Sequence, residues 1–433
     1  MTPGDRDDRI ADITTSEAAI PTGVNANQGE SNQNWLLEVN TDRYHRDRQV
    51  LVVGDTIVGL TLTLALHQSG YDPLLVRDPG RPVKSQATFL SPSACRVLRS
   101  LGVGPLLSEQ GVPVESISVE RSSSTTKSAT ILSASTDSDA TEAMVIDTRK
   151  LRNALDARLP DRQRSTSRSI AMLSTHDSGL QVEFEDGITE WFDVLTDTSL
   201  SGVARRLAFG EILEPETLVQ YETSVETARV ESTRIQDIWR PNALVQLIPS
   251  SVRSSTIVRL TTPRTALPSN PDGSVIATII NESSADIEID HQSVKDFEWE
   301  ATTVRQPVHC DDGTRKRWGS GRLSFCGAAV SPTAPATGFA TWFGIESSLA
   351  LLSELNRTEQ SVSDAVDTYA AQRRQRLGAL RRTTRAVRED HAYSLPDSVP
   401  ASLDTLGELR QLTLGSFLDS RLWSVQYDWF REF

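Results

Sequence analysis

VLVVGDTIVGLTLTLALHQSGYDPLLVRD, residues Val50 to Asp78, decides the fold of this 433-residue chain. Val50-Leu51-Val52-Val53 is a short unbroken apolar run, the pattern of a strand buried on both faces of a parallel sheet. Gly54 and Gly59 bracket a tight turn. Leu60, Leu62, Leu64 and Leu66 then mark a helix that Gly70 ends as its C′ residue. Leu74-Leu75-Val76 is a second strand, and the whole makes a βαβ unit of about thirty residues. Within it, Gly54-Asp55-Thr56-Ile57-Val58-Gly59 matches the dinucleotide-binding pattern G-x-G-x-x-G with one glycine replaced. Gly54 permits the sharp turn and Gly59 lets helix and strand pack closely. Thr56 holds the middle position, where the backbone approaches a pyrophosphate whose charge the helix N-terminus stabilises.

Length and charge bound what surrounds this unit. A chain of 433 residues exceeds one hydrophobic core, so two domains are expected. The formal net charge is −14 with a sequence pI of about 5.0, and no long basic stripe offsets the acid, which argues against a nucleic-acid partner. Lysine is confined to Lys84, Lys127, Lys150, Lys295 and Lys316, a halophile-like composition. Cys95, Cys310 and Cys326 have no metal-ligand or redox spacing and read as small buried apolar residues in a reducing compartment. The longest apolar runs fall well short of the ~18 residues a membrane span needs. No basic-then-apolar leader opens the chain, so a cytoplasmic location is expected. Oligomeric state is not legible.

Residues 1–46 are acidic and poor in large apolar side chains, and read as a disordered tail in which Trp35-Leu36-Leu37 is the exception. Ser91-Pro92 opens a helix that Gly102 stops, and Ile117 and Val119 alternate with serines as a half-exposed strand. Ser122 to Asp139 reads as a surface loop or hairpin tip. Leu151, Ala154, Leu155 and Leu159 mark an amphipathic helix. Asp186-Gly187 is a hairpin turn between strands around Val182 and Trp191. From Val219 to Ile289 the text is strand-like, with β-rich runs at Ala243–Ile248, Thr256–Leu260 and Val275–Ile280; it suggests a mostly antiparallel sheet. Leu323 to Cys326 is a strand ending on Gly327, and Ile345 to Leu355 a helix. Val362 to Arg388 reads as an arginine-rich solvated helix with acidic partners, and the last forty or so residues as a helical cap carrying Trp423, Tyr427, Trp429 and Phe430.

Four blocks in this order resemble the FAD-dependent aromatic-hydroxylase family typified by para-hydroxybenzoate hydroxylase. They are the fingerprint, Leu90 to Val119, Val182 to Arg206, and GRLSFCGAAVSPTAPATGFATWFGIESSLALLSEL from Gly321 to Leu355. In the last, Gly327, Ala329, Pro335, Gly338, Gly344, Ile345 and Glu346 fall on matching positions. The resemblance implies an α/β fold. A Rossmann-type FAD/NAD(P)-binding domain with a parallel sheet would comprise residues 47–206 and 310–380. A mainly antiparallel β-sheet substrate domain would span 207–309, and a C-terminal helical cap 381–433. It further implies FAD as cofactor, NAD(P)H as transient reductant, oxygen, and hydroxylation of a small organic substrate. The implied cofactor residues are Gly54, Thr56, Gly59, Asp78, Gly327, Ala328, Pro335 and Gly338.

The departures from that family weaken the implied FAD site. Thr56 stands at the middle glycine. Arg77 aligns with the acid that would accept from the ribose, and the carboxylate Asp78 comes one residue later. The family's Asp-Gly motif falls on Ser199-Leu200 if the register runs through Asp193 and Arg206, or on Asp197-Thr198 if it is anchored on Asp197. Ala328 replaces the carboxylate that would hold the ribityl chain, a loss on the order of 0.5–3 kcal/mol. Two readings follow: a monooxygenase that holds FAD weakly, and a paralogue that keeps the fold as a non-catalytic binding or regulatory protein. No catalytic side chain stands out; His291 and His309 lie in the sheet region without a supporting pattern.

Overall fold

In the computed structural model the described residues are 48–78, 86–121, 127–130, 143–210, 218–226, 233–240, 243–251, 255–263, 272–281, 300–304, 318–330, 339–357 and 360–374. The expected tail at 1–46, His291, His309, Cys310 and the expected cap at 381–433 lie outside them, as do residues 122–126 and 131–139 of the expected Ser122–Asp139 loop or hairpin tip, within which Lys127–Thr130 is a strand.

The chain opens with β1 (Val50–Val53), α1 (Ile57–Gln68) and β2 (Leu74–Val76). Next come β3 (Ala87–Leu90), α2 (Pro92–Leu98) and, past a π-type turn kinked at Gly102, α3 (Gly104–Gln110). β4 (Val112–Val114), β5 (Ser116–Arg121), β6 (Lys127–Thr130), β7 (Ala143–Asp147) and α4 (Thr148–Asp156) follow. Then come β8 (Arg164–Thr166), β9 (Ile170–His176), β10 (Gly179–Phe184), β11 (Thr189–Phe192), β12 (Val194–Asp197) and α5 (Val203–Phe209). The second half holds β13 (Leu218–Glu226), β14 (Arg234–Arg240), β15 (Ala243–Pro249), β16 (Ser255–Pro263), α6 (Gly273–Asn281) and β17 (Glu300–Val304). β18 (Gly319–Ser320), β19 (Leu323–Phe325) and α7 (Phe339–Leu355) return to the first layer, and residues 362–374 form α8.

Six strands make the first sheet in the order β18-β19-β12-β1-β2-β8, parallel except for β18. β1 is central and fully buried, as its unbroken apolar run requires. α1 is mostly apolar from Ile57 to Leu66 and buried on all sides, Thr61 and Thr63 included, packed against α7 and α4. It ends as expected: Gly70 has φ +88°, its N–H reaches the His67 carbonyl, and the Tyr71 N–H reaches Leu66. β19 is separated from β1 by β12, so Gly327 follows the second strand along rather than β1's immediate neighbour.

A seven-stranded sheet, β17-β13-β16-β15-β14-β5-β6, is antiparallel except where β14 runs parallel to β5. β5 and β6, from the first third of the chain, thus extend the sheet built by the second half. Two small antiparallel sheets, β11-β10-β9 and β3-β7-β4, complete the strands. One core surrounds the parallel sheet; a second lies between the seven-stranded sheet and α6, with Tyr221, Val245, Leu260, Ile276 and Ile280 buried in it.

Two expectations are corrected. Val275–Ile280 is not a strand but the body of α6. Asp272 Oδ1 accepts from the Ser274 and Val275 N–H groups at 3.0 and 3.1 Å, a helix cap, while Ile276, Ala277 and Ile280 share the buried face. The described part of the arginine-rich helix, α8, is solvated on one face only, at Asp364, Asp367 and Arg374: Val362, Ala365, Val366, Tyr369 and Ala370 on the other are core residues. Arg373 is fully buried against Glu346 at 2.7 Å, so the expected acidic partner is present but inside the molecule.

Candidate dinucleotide site

The C-terminal ends of β1, β2, β12 and β19 meet around the Gly54 turn. The chain leaves β1 toward β2 on one side, and β12 and β19 lie on the other, so β1 borders the topological switch point where open parallel sheets bind ligands. The Gly54 N–H donates to the Val76 carbonyl, and the Thr198 N–H to the Val53 carbonyl, both at 2.8 Å, pinning the turn to both neighbours. Gly54 has φ +97°, and a Cβ there would come within 2.8 Å of the Ser199 Cα; at Gly59 a Cβ would lie 2.0 Å from the Gly54 carbonyl oxygen. On the far side of α1, Gly327 and Gly344 close on Val58: a Cβ at Gly344 would meet Val58 Cγ2 at 2.4 Å and Gly327 Cα at 3.0 Å. The fold thus brings Gly54, Thr56, Gly59 and Gly327 together, with Ala328 half-buried in the single 3₁₀ turn that follows β19. Pro335 and Gly338 lie outside the described residues.

Thr56 is the N-cap of α1. Its Oγ1 accepts from the Gly59 N–H at 3.1 Å and lies 3.2 Å from the Thr198 Oγ1. Of the two registers for the Asp-Gly motif, the geometry favours Asp197. It ends β12 beside Val53, fully buried, and its carboxylate accepts from Ser199 N, Ser199 Oγ and Ala204 N at 2.8, 2.6 and 3.0 Å. Burial pushes its pKa above the ordinary value, against the opposing pull of Ser199, Ala204 and Arg205. Arg205, also buried, donates from Nε to the Ala329 carbonyl at 3.3 Å and lies 4.4 Å from the Phe325 ring centre, tying α5 to the turn that carries Ala328.

The ribose corner is built differently from what the fingerprint leads one to expect. Arg77, at the end of β2, turns to Asp156 of α4 at 2.6 Å and lies 3.8 Å from Asp55. Arg152 of α4 reaches both the carboxylate and the carbonyl of Asp55, the latter at 3.0 Å from Nε. Asp78 is exposed beside them, its N–H 3.4 Å from Asp55 Oδ1. The cluster consumes Arg77 internally. Sequence reasoning missed Asp55, Arg152 and Asp156 because the partners are remote along the chain; the only signal was that arginines and aspartates recur at both places.

The residues fit a dinucleotide at its phosphate end. The α1 N-terminus faces the crevice with its dipole, and Ile57 and Val58 supply backbone N–H groups there. At the ribose end the exposed Asp78 is the available acceptor. Facing this layer, the seven-stranded sheet carries a polar strip: Gln220 donates to Thr261 Oγ1 at 3.2 Å, and Gln246 to Asp237 at 2.8 Å. Arg259 and Glu222 pair at 2.6 Å and together hold both the N–H and the carbonyl of Ala87 in β3. Beside that pair, a cavity of about 340 Å³ lies between the small β3-β7-β4 sheet and the seven-stranded sheet, lined by Ala87, Val112, Val145, Glu222, Ser224 and Ile257. Cys95 and Cys326 are buried, and burial pushes both thiols up to about 12. Among the described residues no cluster is arranged to hold a metal, and no helix is long and apolar enough to cross a membrane.

No protein-family model matches the chain, and no curated protein does. Solved structures do. PqsL from Pseudomonas aeruginosa, a probable FAD-dependent monooxygenase, superposes with a TM-score of 0.65 at 16% identity, covering 84% of this chain and 99% of its own. HpxO from Klebsiella pneumoniae, solved with FAD and uric acid, gives 0.62 at 17% identity over 87% and 95%. CtdE, solved with FAD and a substrate, gives 0.66 at 13% identity over 85% and 100%. At these identities the likeness speaks for the fold: this chain has the fold of the FAD-dependent monooxygenases, in a divergent sequence.

Proposed function

We propose that the chain is a FAD-dependent monooxygenase that acts on a small organic substrate, with NAD(P)H as reductant and oxygen as co-substrate. The observation that carries this reading is the Gly54–Gly59 turn at the switch point, with the α1 N-terminus aimed into the crevice and Gly327 and Gly344 closing on Val58. Bound FAD would supply the redox chemistry, accepting a hydride and activating oxygen. The protein's residues bind and orient it. The Ile57 and Val58 N–H groups and the helix dipole would hold the pyrophosphate, and Asp78 would accept from the ribose. Arg205 fixes the turn after β19 through the Ala329 carbonyl. Residues 47–206 with 310–380 form the cofactor domain in this reading, with β5 and β6 lent to the substrate sheet of 207–309, and residues 381–433 a cap. The substrate would lie against the polar strip of the seven-stranded sheet.

One observation favours a second reading, a fold kept for binding or regulation without flavin: Arg77, which stands where the fingerprint expects the ribose-binding acid, is spent on Asp156 and Asp55. Both readings are separated by the flavin absorbance of freshly purified protein, followed by FAD titration and by NAD(P)H consumption of the loaded protein in air. FAD binding with oxygen-dependent NAD(P)H oxidation is expected. Colourless protein that binds no FAD at high concentration supports the flavin-free reading instead.

A further inference from the structure

Two threonines stand where the fingerprint and the Asp197 register each place glycine, and the fold joins their hydroxyls. Thr198 Oγ1 lies 2.9 Å from the Val53 carbonyl and 3.0 Å from that of Gly54. Carbonyls only accept, so Thr198 spends its one proton there and can only accept from Thr56, 3.2 Å away. Thr56 in turn accepts from the Gly59 N–H at 3.1 Å. Donation therefore runs one way: Gly59 N–H to Thr56, Thr56 to Thr198 through its hydroxyl at 3.2 Å or its backbone carbonyl at 3.4 Å, and Thr198 to the last carbonyls of β1 and its turn. Thr198 is fully buried, which anchors the relay.

We propose that Thr56 and Thr198 form a self-capping relay that competes with a bound anion for the N-terminus of α1, and so set the dinucleotide affinity of the site. The inference deepens the dinucleotide reading above and rests on it. A helix N-terminus presents its first amides to an anion because they lack intrahelical partners. Here the Gly59 amide already has one. The relay stabilises the empty turn as an N-cap does. A pyrophosphate held by the Ile57 and Val58 N–H groups gains the Gly59 N–H as a third donor only by displacing Thr56 Oγ1, which costs the hydroxyl chain its link.

The test uses ADP, which carries the pyrophosphate without the isoalloxazine, and reads both the melting temperature of the ligand-free protein and the ADP affinity by calorimetry. Thr56→Ala should lower the ligand-free melting temperature and tighten ADP about tenfold, the worth of one freed charge-assisted hydrogen bond. Thr56→Ser, which keeps the capping oxygen, should behave as the parent. Thr198→Val should tighten ADP in part, and the double variant no more than Thr56→Ala alone, because the two hydroxyls act as a unit. Thr56→Ala that stays folded by circular dichroism and binds ADP no tighter than the parent overturns the proposal. If Thr56→Ala does not fold, unchanged ADP affinity in Thr198→Val overturns it, as does ADP binding too weak to detect in every variant. A protein whose variants shift ADP affinity as expected but which binds no FAD supports the relay and removes the monooxygenase reading.

Discussion

At position 328 a methyl group sits half-buried in the 3₁₀ turn after β19, which Arg205 holds through the neighbouring Ala329 carbonyl. A carboxylate there would offer an acceptor to a polyol chain passing the end of β19. Ala328→Asp is therefore expected to tighten FAD by about tenfold, in the middle of the range for one hydrogen bond to a charged group. Fluorescence titration checks it; unchanged affinity would mean that residue 328 does not border the bound flavin. Gly54 and Gly59 stand out in the sequence because their spacing in one turn is a local pattern, whereas the close approach of Gly54 to Ser199 and of Gly327 to Val58 appears only in the fold. The fate of Arg77 was not legible there. Its position at the end of β2 follows from the pattern, but its engagement by Asp156 depends on where α4 lands, and no periodicity near Arg77 encodes that. Thr198 was equally hidden, since its role appears only once β12 lies beside β1.

Among the elements, β3 is held to the seven-stranded sheet by a pair of charges. Glu222 accepts from the Ala87 N–H at 2.7 Å, and Arg259 donates to the Ala87 carbonyl while pairing with Glu222. Both side chains are nearly buried, at 8% and 12% exposure, so removing one strands the other without solvent to compensate. Glu222→Ala is expected to cost about 3 kcal/mol of stability by urea unfolding, from an orphaned arginine and an orphaned amide. A cost below about 1 kcal/mol would show that the latch contributes only what an exposed pair does. α6 shows where element reading failed. Val275, Ile276, Ile279 and Ile280 are β-branched, and their propensity pointed to a strand. The Asp272 cap and the spacing of Ile276, Ala277 and Ile280 were the helical signals, and burial against the second core decided between them. For α8 the arginines drew attention away from Val362, Ala365, Val366, Tyr369 and Ala370, whose spacing marks a buried face.

Over the whole molecule, the order of the motifs proved more informative than any one of them. The strand–turn–helix–strand unit, the strand ending on Gly327 and the long helix after it were each ambiguous alone, and their sequence in the chain fixed a parallel sheet with β1 at its centre. Composition adds a prediction at this scale. With a net charge of −14 and only five lysines, the surface repels itself in dilute buffer, and salt screens that repulsion. Melting temperature is expected to rise from low salt into molar KCl; a flat or falling trend would remove the halophile-like reading.

The central claim is that this divergent fold still holds a flavin dinucleotide, through backbone and helix dipole more than through side chains. Titration of the purified, dialysed protein with FAD tests it most directly. Saturable but weak binding is expected, with little flavin retained through dialysis. No binding at high FAD would contradict it.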